Sequence, residues 1–226
     1  MRVSRAGWHP TTTDLPVIVV VNHPSWWDPL IGIQVSSLFP EHTHYVPIDA
    51  KELQKYRIFR RLGFFGVEPG SARGAVTLLR TAEAIFTQPK TMIWITAQGE
   101  FRDVRRRPLE LRPGVGFLAS KLERGIIIPL VLEYSFWTER TPEAFARFGP
   151  PLDIASTKLD SREWTDHIER AMTTAQDELS AEVMRRDPKE FETLLSGRVG
   201  VGGFYDMGRR FMAWVRGRKF DAGHDS

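Results

Sequence analysis

The strongest apolar signal lies near the start of the chain, where Pro16 introduces Val17-Ile18-Val19-Val20-Val21 with no polar alternation. A short branched-aliphatic run of this kind predicts a strand buried on both faces. Asn22 to Pro29 reads as a turn and helix start, and Leu30 to Leu38 as a mostly apolar helix. A short strand is expected at Thr43 to Ile48. Lys51 to Leu62 sets Leu53, Tyr56, Ile58 and Phe59 among Lys and Arg, which predicts a surface helix. Phe64 to Val67 reads as a strand closed by the Pro69-Gly70 turn. Ser71 is placed to cap a helix running to about Thr87, with Ala75, Leu78, Leu79, Ala82, Ile85 and Phe86 on one face. Met92 to Thr96 predicts another strand, Gln98 to Pro113 an arginine-rich loop, Gly114 to Glu123 a helix, and Ile126 to Leu132 the last strong strand.

Beyond Pro150-Pro151 the pattern turns helical. Asp160 and Glu163 have capping-box spacing, and Trp164, Ile168, Ala171, Met172, Ala175, Leu179 and Val183 recur at three and four, a face suited to packing on a sheet. Strands separated by helical patterns predict an α/β fold with crossover helices. The expected division is a domain over residues 1–196 and an appended segment over 197–226. In that segment a glycine-rich link, Gly197 to Gly203, precedes an amphipathic stretch. Phe204, Met207, Phe211, Trp214 and Val215 alternate there with Arg209, Arg210, Arg216, Arg218 and Lys219. A helix lying in an anionic bilayer surface has this composition, and so does a C-terminal helix packed on the domain; Gly208 and Gly217 weaken either.

Composition narrows the classes. The 226 residues are 42% apolar and 26% charged, enough to bury a sizeable core. Thirty-one Lys and Arg against 28 Asp and Glu leave a net charge of +3, and no nucleic-acid module is visible, so nucleic acid is not an expected partner. The absence of cysteine excludes disulfides, thiol nucleophiles and iron–sulfur clusters. The longest aliphatic run is far short of the roughly 20 residues a spanning helix needs. The first ten residues have no apolar segment of a signal peptide, so the cytoplasmic side is the expectation.

The first constellation that carries chemistry is Asn22-His23-Pro24-Ser25-Trp26-Trp27-Asp28, directly after the buried strand. Loops at strand ends converge over the sheet edge, where sites collect. A histidine at a helix start and a carboxylate one turn into that helix can meet. The carboxylate then holds one ring N–H and leaves the other nitrogen as a general base. The alternative is that His23 caps a turn and Asp28 a helix. The second constellation is Arg102, Arg105, Arg106, Arg107 and Arg112 in one loop, suited either to phosphate oxygens or to solvated ion pairs.

These residues resemble the glycerolipid acyltransferases, the lysophosphatidic acid acyltransferase group. Asn22 to Asp28 is similar to the Asn-His-x-Ser-x-x-Asp block of that family. Gly63-Phe64-Phe65-Gly66-Val67-Glu68 resembles its second block and Gln98-Gly99-Glu100-Phe101-Arg102 its third. Leu111-Arg112-Pro113-Gly114, Ile128-Pro129-Leu130-Val131 and Arg147-Phe148-Gly149-Pro150-Pro151 follow in the expected order. The resemblance implies a mixed, largely parallel sheet flanked by helices, and transfer of a fatty acyl chain from acyl-CoA or acyl carrier protein to a lipid hydroxyl. It makes His23 the general base and Asp28 its orienter, with no metal and no bound cofactor. Asn22 and Ser25 would shape the turn, and Trp26 and Trp27 would line the acyl entrance or enter the core. Gln98, Gly99, Glu100, Arg102 and Arg112 would meet the acceptor. The partners implied are an acyl thioester donor, a lipid acceptor and the cytoplasmic face of the membrane.

Two departures bear on the acceptor. Pro69 stands where the second block ends in arginine, leaving Arg73 to supply that contact. Gln98 and Glu100 stand where the third block has glutamate and threonine, and a glutamate beside a phosphate site repels the anion. A lysophospholipid with a different head group, or a glycosylated lipid, is therefore an expected acceptor beside the usual one. A thioesterase-like hydrolase using the same dyad on water, or a non-catalytic lipid-binding member of the fold, are the competing functions.

Overall fold

A computed structural model describes residues 1–7, 13–139 and 141–196. Met1–Leu194 form one compact unit. The Gly197 to Gly203 link and the amphipathic stretch after it lie outside the described residues.

The branched run folds into β2 (Val17–Val21), with all five side chains buried. It follows the short β1 (Arg2–Ser4) and precedes helix α1 (Asp28–Ser36). Next come β3 (Thr43–Asp49), α2 (Ala50–Lys55), a 3₁₀ turn (Arg57–Leu62), β4 (Phe64–Val67), α3 (Ala72–Phe86) and β5 (Thr91–Thr96). After the arginine loop lie α4 (Gly114–Lys121), β6 (Ile126–Phe136), β7 (Pro142–Phe148), β8 (Leu152–Asp153), α5 (Ser161–Arg185) and β9 (Phe191–Thr193). The strands form one sheet in the order β4-β3-β5-β2-β6-β7-β1-β9, with β8 against β6. The β2 strand runs parallel to both neighbours, so Val21 pairs with Thr96 on β5 and Leu130 on β6. Antiparallel pairs join β6 to β7 and β8, and β1 to β9. The sheet is therefore mixed and largely parallel, as expected.

Its two faces bury separate cores. Val17, Val19 and Val21 point with Ile128, Leu130 and Leu132 towards α1 and Phe39. Ile18 and Val20 point with Ile127 and Val131 towards α3, α4 and α5. The α5 helix starts at the predicted capping box, Asp160 with Glu163, and buries Trp164, Ile168, Met172, Ala175, Leu179 and Val183. At roughly 1.5–3 kcal/mol for each large apolar side chain removed from water, this stripe is enough to fix the helix on the sheet.

Three expectations change. The segment from Lys51 to Leu62 is not one helix. Leu53 is the buried residue of α2, so no continuous apolar face holds a longer helix, and the 3₁₀ turn ends at Gly63 with φ 85°. A β-carbon at Gly63 would stand 2.1 Å from the His44 carbonyl, so the turn requires glycine there. Ile126 to Leu132 is not the last strand, because β6 continues to Phe136 and pairs with β7. Asp28 does not sit one turn into a helix; it is the first residue of α1, and His23 precedes it in the turn.

Candidate active site

Because β2, β5 and β6 are parallel and in register, their C-terminal ends open on one edge of the sheet, and the Asn22 to Asp28 turn crosses it. Asn22 anchors the turn. It is 2% exposed. Its Nδ2 donates to the Leu132 carbonyl and to Gln176 Oε1, both at 2.9 Å, and its Oδ1 accepts from the Leu132 N–H at 2.7 Å. The next residue, His23, is pinned through its backbone. Its N–H donates to Gln98 Oε1 at 2.9 Å, and its carbonyl accepts from the Arg102 N–H at 2.9 Å.

The His23 ring meets Asp28. Nδ1 lies 2.7 Å from Asp28 Oδ2, and that oxygen also accepts the Ser25 backbone N–H at 3.1 Å. The other carboxylate oxygen, Oδ1, accepts a hydrogen bond from the Tyr134 hydroxyl at 2.6 Å. A carboxylate can only accept, so Nδ1 carries the proton and the lone pair is left on Nε2. Burial first, and then the negative charge of Asp28, push the Tyr134 hydroxyl up, so it remains a donor at neutral pH. Tyr134, Asp28 and His23 thus form a chain of hydrogen bonds reaching from the sheet to the open edge. Asp28 is 5% exposed. The histidine side chain keeps 20% of its surface.

Phe101 lies over the His23 ring with centroids 4.5 Å apart. It and Trp26 are largely exposed, at 58% and 66%, and Trp27 is 40% exposed, which removes the core alternative for the two tryptophans. They meet edge to face at 5.7 Å.

The arginine loop is closed by its own carboxylates. Arg102 pairs with Glu100 and with Glu110, and Arg106 reaches Glu110 at 3.3 Å. Arg105 grips Asp103 at 2.6 Å, and Arg107 pairs with Asp177 on α5. The loop is further tied to α5 through Glu169, whose two oxygens accept the backbone N–H groups of Glu110 at 3.2 Å and Leu111 at 3.0 Å. Arg112 is the exception. It donates from Nε to the Gln98 carbonyl at 3.1 Å, and none of the loop's carboxylates pairs with it. Gly99 lies beneath it at φ 65°, where a β-carbon would stand 2.5 Å from Arg112 Nε. The left-handed backbone favours glycine there, and a side chain would also push Arg112 aside.

Asn22, Ser25 and Gln98 all bond to the protein around the turn. Asn22 is spent on Leu132 and Gln176. Gln98, 3% exposed, is spent on His23 and on the Leu109 carbonyl, to which its Nε2 donates at 3.0 Å. Both are buried with their amide N and O atoms bonded to the protein, and they support the turn from behind. Ser25 lends its backbone to Asp28 and its Oγ to the Trp27 N–H at 3.3 Å. Arg73 stands exposed in the first turn of α3. Arg112 faces the same corner, since a β-carbon at Gly70 would be 3.9 Å from its Nη1. Tyr134, Gln176 and Glu169 were not singled out by sequence. Among the described residues no group of three metal-ligating side chains converges.

Residues 3–133 match the family model described as Acyltransferase, more than half of the 226-residue chain. The chain belongs to this acyltransferase family. The crystal structure of the 1-acyl-sn-glycerophosphate (LPA) acyltransferase PlsC from Thermotoga maritima is similar in fold. It is 15% identical, with a TM-score of 0.54 over 75% of this chain and 68% of that one. No curated protein matches the chain. The matched span contains His23, Asp28 and the whole arginine loop, and it ends one residue short of Tyr134. No helix among the described residues of this acyltransferase-family chain is long and apolar enough to cross a membrane.

Proposed function

We propose that the protein transfers a fatty acyl chain from a thioester, acyl-CoA or acyl carrier protein, to a hydroxyl of a lysophospholipid or related lipid. The observation that carries this is the 2.7 Å contact between His23 Nδ1 and Asp28 Oδ2 at the open end of the parallel strands, within a chain of this family. His23 Nε2 takes the proton of the acceptor hydroxyl as its oxygen attacks the thioester carbonyl. The tetrahedral intermediate collapses, the carbon–sulfur bond breaks, and the imidazolium returns its proton to the departing thiolate. Asp28 stabilises the imidazolium and fixes the ring, which is the part of the work a thioester leaves to the protein.

The aromatic rim of Trp26, Trp27 and Phe101 lies beside His23 and suits an acyl chain or the interface of a bilayer, where amphipathic rings settle. In this reading the protein works as a peripheral enzyme at the cytoplasmic membrane face. The test is to supply labelled acyl-CoA, and separately acyl carrier protein thioester, with a total lipid extract, and to follow acylated lipid and free fatty acid by mass spectrometry. A new acylated lipid is expected. Free acid alone would make the protein a hydrolase, and no product from either donor would make it a binding module.

A further inference from the structure

The arginine loop, suited by sequence to phosphate oxygens or to solvated ion pairs, is largely neutralised by ion pairs beside the reacting histidine. Arg102, whose backbone N–H holds the His23 carbonyl, has its guanidinium occupied by Glu110 and Glu100. Glu110 is also shared with Arg106, while Arg105 and Arg107 are paired with Asp103 and Asp177. Taken together, Arg102 and Arg106 are balanced charge for charge by Glu100 and Glu110. The two glutamate side chains remain 53% and 42% exposed, whereas that of Arg102 is 15% exposed, so solvent meets the carboxylates more than the guanidinium. A phosphomonoester entering here must displace two carboxylates from one guanidinium and then lie against them. A hydroxylated head group meets no such penalty, because carboxylates accept its O–H groups and the exposed Phe101 ring beside His23 gives it a face.

From this we infer that Glu100 and Glu110 are specificity residues: they occupy Arg102 and select an acceptor with an uncharged polyhydroxyl head, a glycosylated lipid, over one with a phosphomonoester. The inference rests on the acyl-transfer reading above. Arg112, with which none of the loop's carboxylates pairs, packs over Gly99 and donates to the Gln98 carbonyl, and it is unchanged by the variants that test the idea.

The experiment compares 1-oleoylglycerol carrying a 3-glucosyl head with 1-oleoylglycerol carrying a 3-phosphate, in the same neutral detergent micelles with oleoyl-CoA. The wild-type protein is expected to acylate the glucosyl lipid with a kcat/KM about tenfold or more above that for the phosphate. The double variant Glu100→Gln with Glu110→Gln keeps the shape of both side chains and removes both charges. It should narrow or reverse that ratio by a similar factor, mainly by raising turnover of the phosphate lipid. An equal or greater rate on the phosphate lipid with the wild-type protein would overturn the inference, as would an unchanged ratio in the double variant. Failure of both pure acceptors while a total lipid extract is acylated in a His23-dependent way would overturn it too, leaving acyl transfer standing. Acylation of nothing at all would remove the acyl-transfer reading itself.

Discussion

In the turn from Asn22 to Asp28 the Asn22 and Asp28 side chains are bonded inward to partners on β6 and α5, whereas from Glu100 to Glu110 most charges are paired with one another in water. The turn uses Leu132, Gln176 and Tyr134, all more than 100 residues away in the chain, and its carboxylate is 5% exposed. The loop uses partners two to eight residues away, apart from its ties to Glu169 and Asp177. Buried bonds of the first kind are costly to leave half-made, and exposed ion pairs of the second kind contribute about 0–1 kcal/mol each. The turn is therefore built to hold one geometry. The loop is built to set the sign of the charge an incoming molecule meets.

Four substitutions test this contrast, from the largest effect to the smallest. His23→Ala removes the proposed base and should lower kcat/KM for acyl transfer by about a thousandfold, within the usual range for a general base. Its thermal unfolding should stay close to wild type, because the ring is at the open edge; a large loss of stability would make His23 a structural residue. Asn22→Leu leaves the Leu132 N–H and carbonyl and Gln176 without their buried partner. It should destabilise the fold by about 3 kcal/mol in chemical denaturation, since each orphaned group costs roughly 1–3 kcal/mol. A neutral result would mean that water enters behind the turn.

Tyr134→Phe keeps the ring and removes the bond to Asp28. Without that donor the carboxylate holds the imidazolium more tightly. The acid limb of the kcat/KM profile should then move to higher pH, with about a tenfold loss of rate at neutral pH. A lower rate at every pH with an unmoved limb would make Tyr134 a packing residue only. Arg105→Ala, at an 85% exposed side chain paired with Asp103, should change stability by less than about 0.5 kcal/mol and leave turnover of an uncharged acceptor unaltered. A large effect there would show that the loop's pairs do more than cancel charge.

What sequence disclosed and what it hid follow the same division. The β2 strand, the α3 cap at Ser71 and the α5 capping box were legible because each is written in neighbouring residues: a branched run, a serine before a periodic face, an Asp and Glu three apart. The His23 to Asp28 spacing was legible too, as a pair that could meet. The β7 strand was hidden because Glu143 and Arg147 break its apolar pattern. In the structure both are buried, Glu143 on Arg2 at 2.6 Å and Arg147 on Glu178, Glu182 and the Ser4 hydroxyl. Tyr134 and Gln176 were hidden because they act on the turn only once β6 and α5 have packed beside it. For the arginines of the loop the choice between phosphate contacts and ion pairs stayed open, because sequence shows a charge and not its partner. Glu110 lies eight residues from Arg102, outside any local pairing rule, and the left-handed backbone at Glu110, φ 57°, accompanies its return to that arginine.

The proposed acyl transfer turns on His23 acting as a base that Asp28 holds. The most direct measurement is the pH dependence of single-turnover acyl transfer, with donor bound and acceptor added in excess. The rate should rise with loss of one proton across the range in which imidazole titrates, because only the neutral ring can accept the hydroxyl proton. A rate that is flat across that range, with the chemical step shown to be limiting, would contradict it.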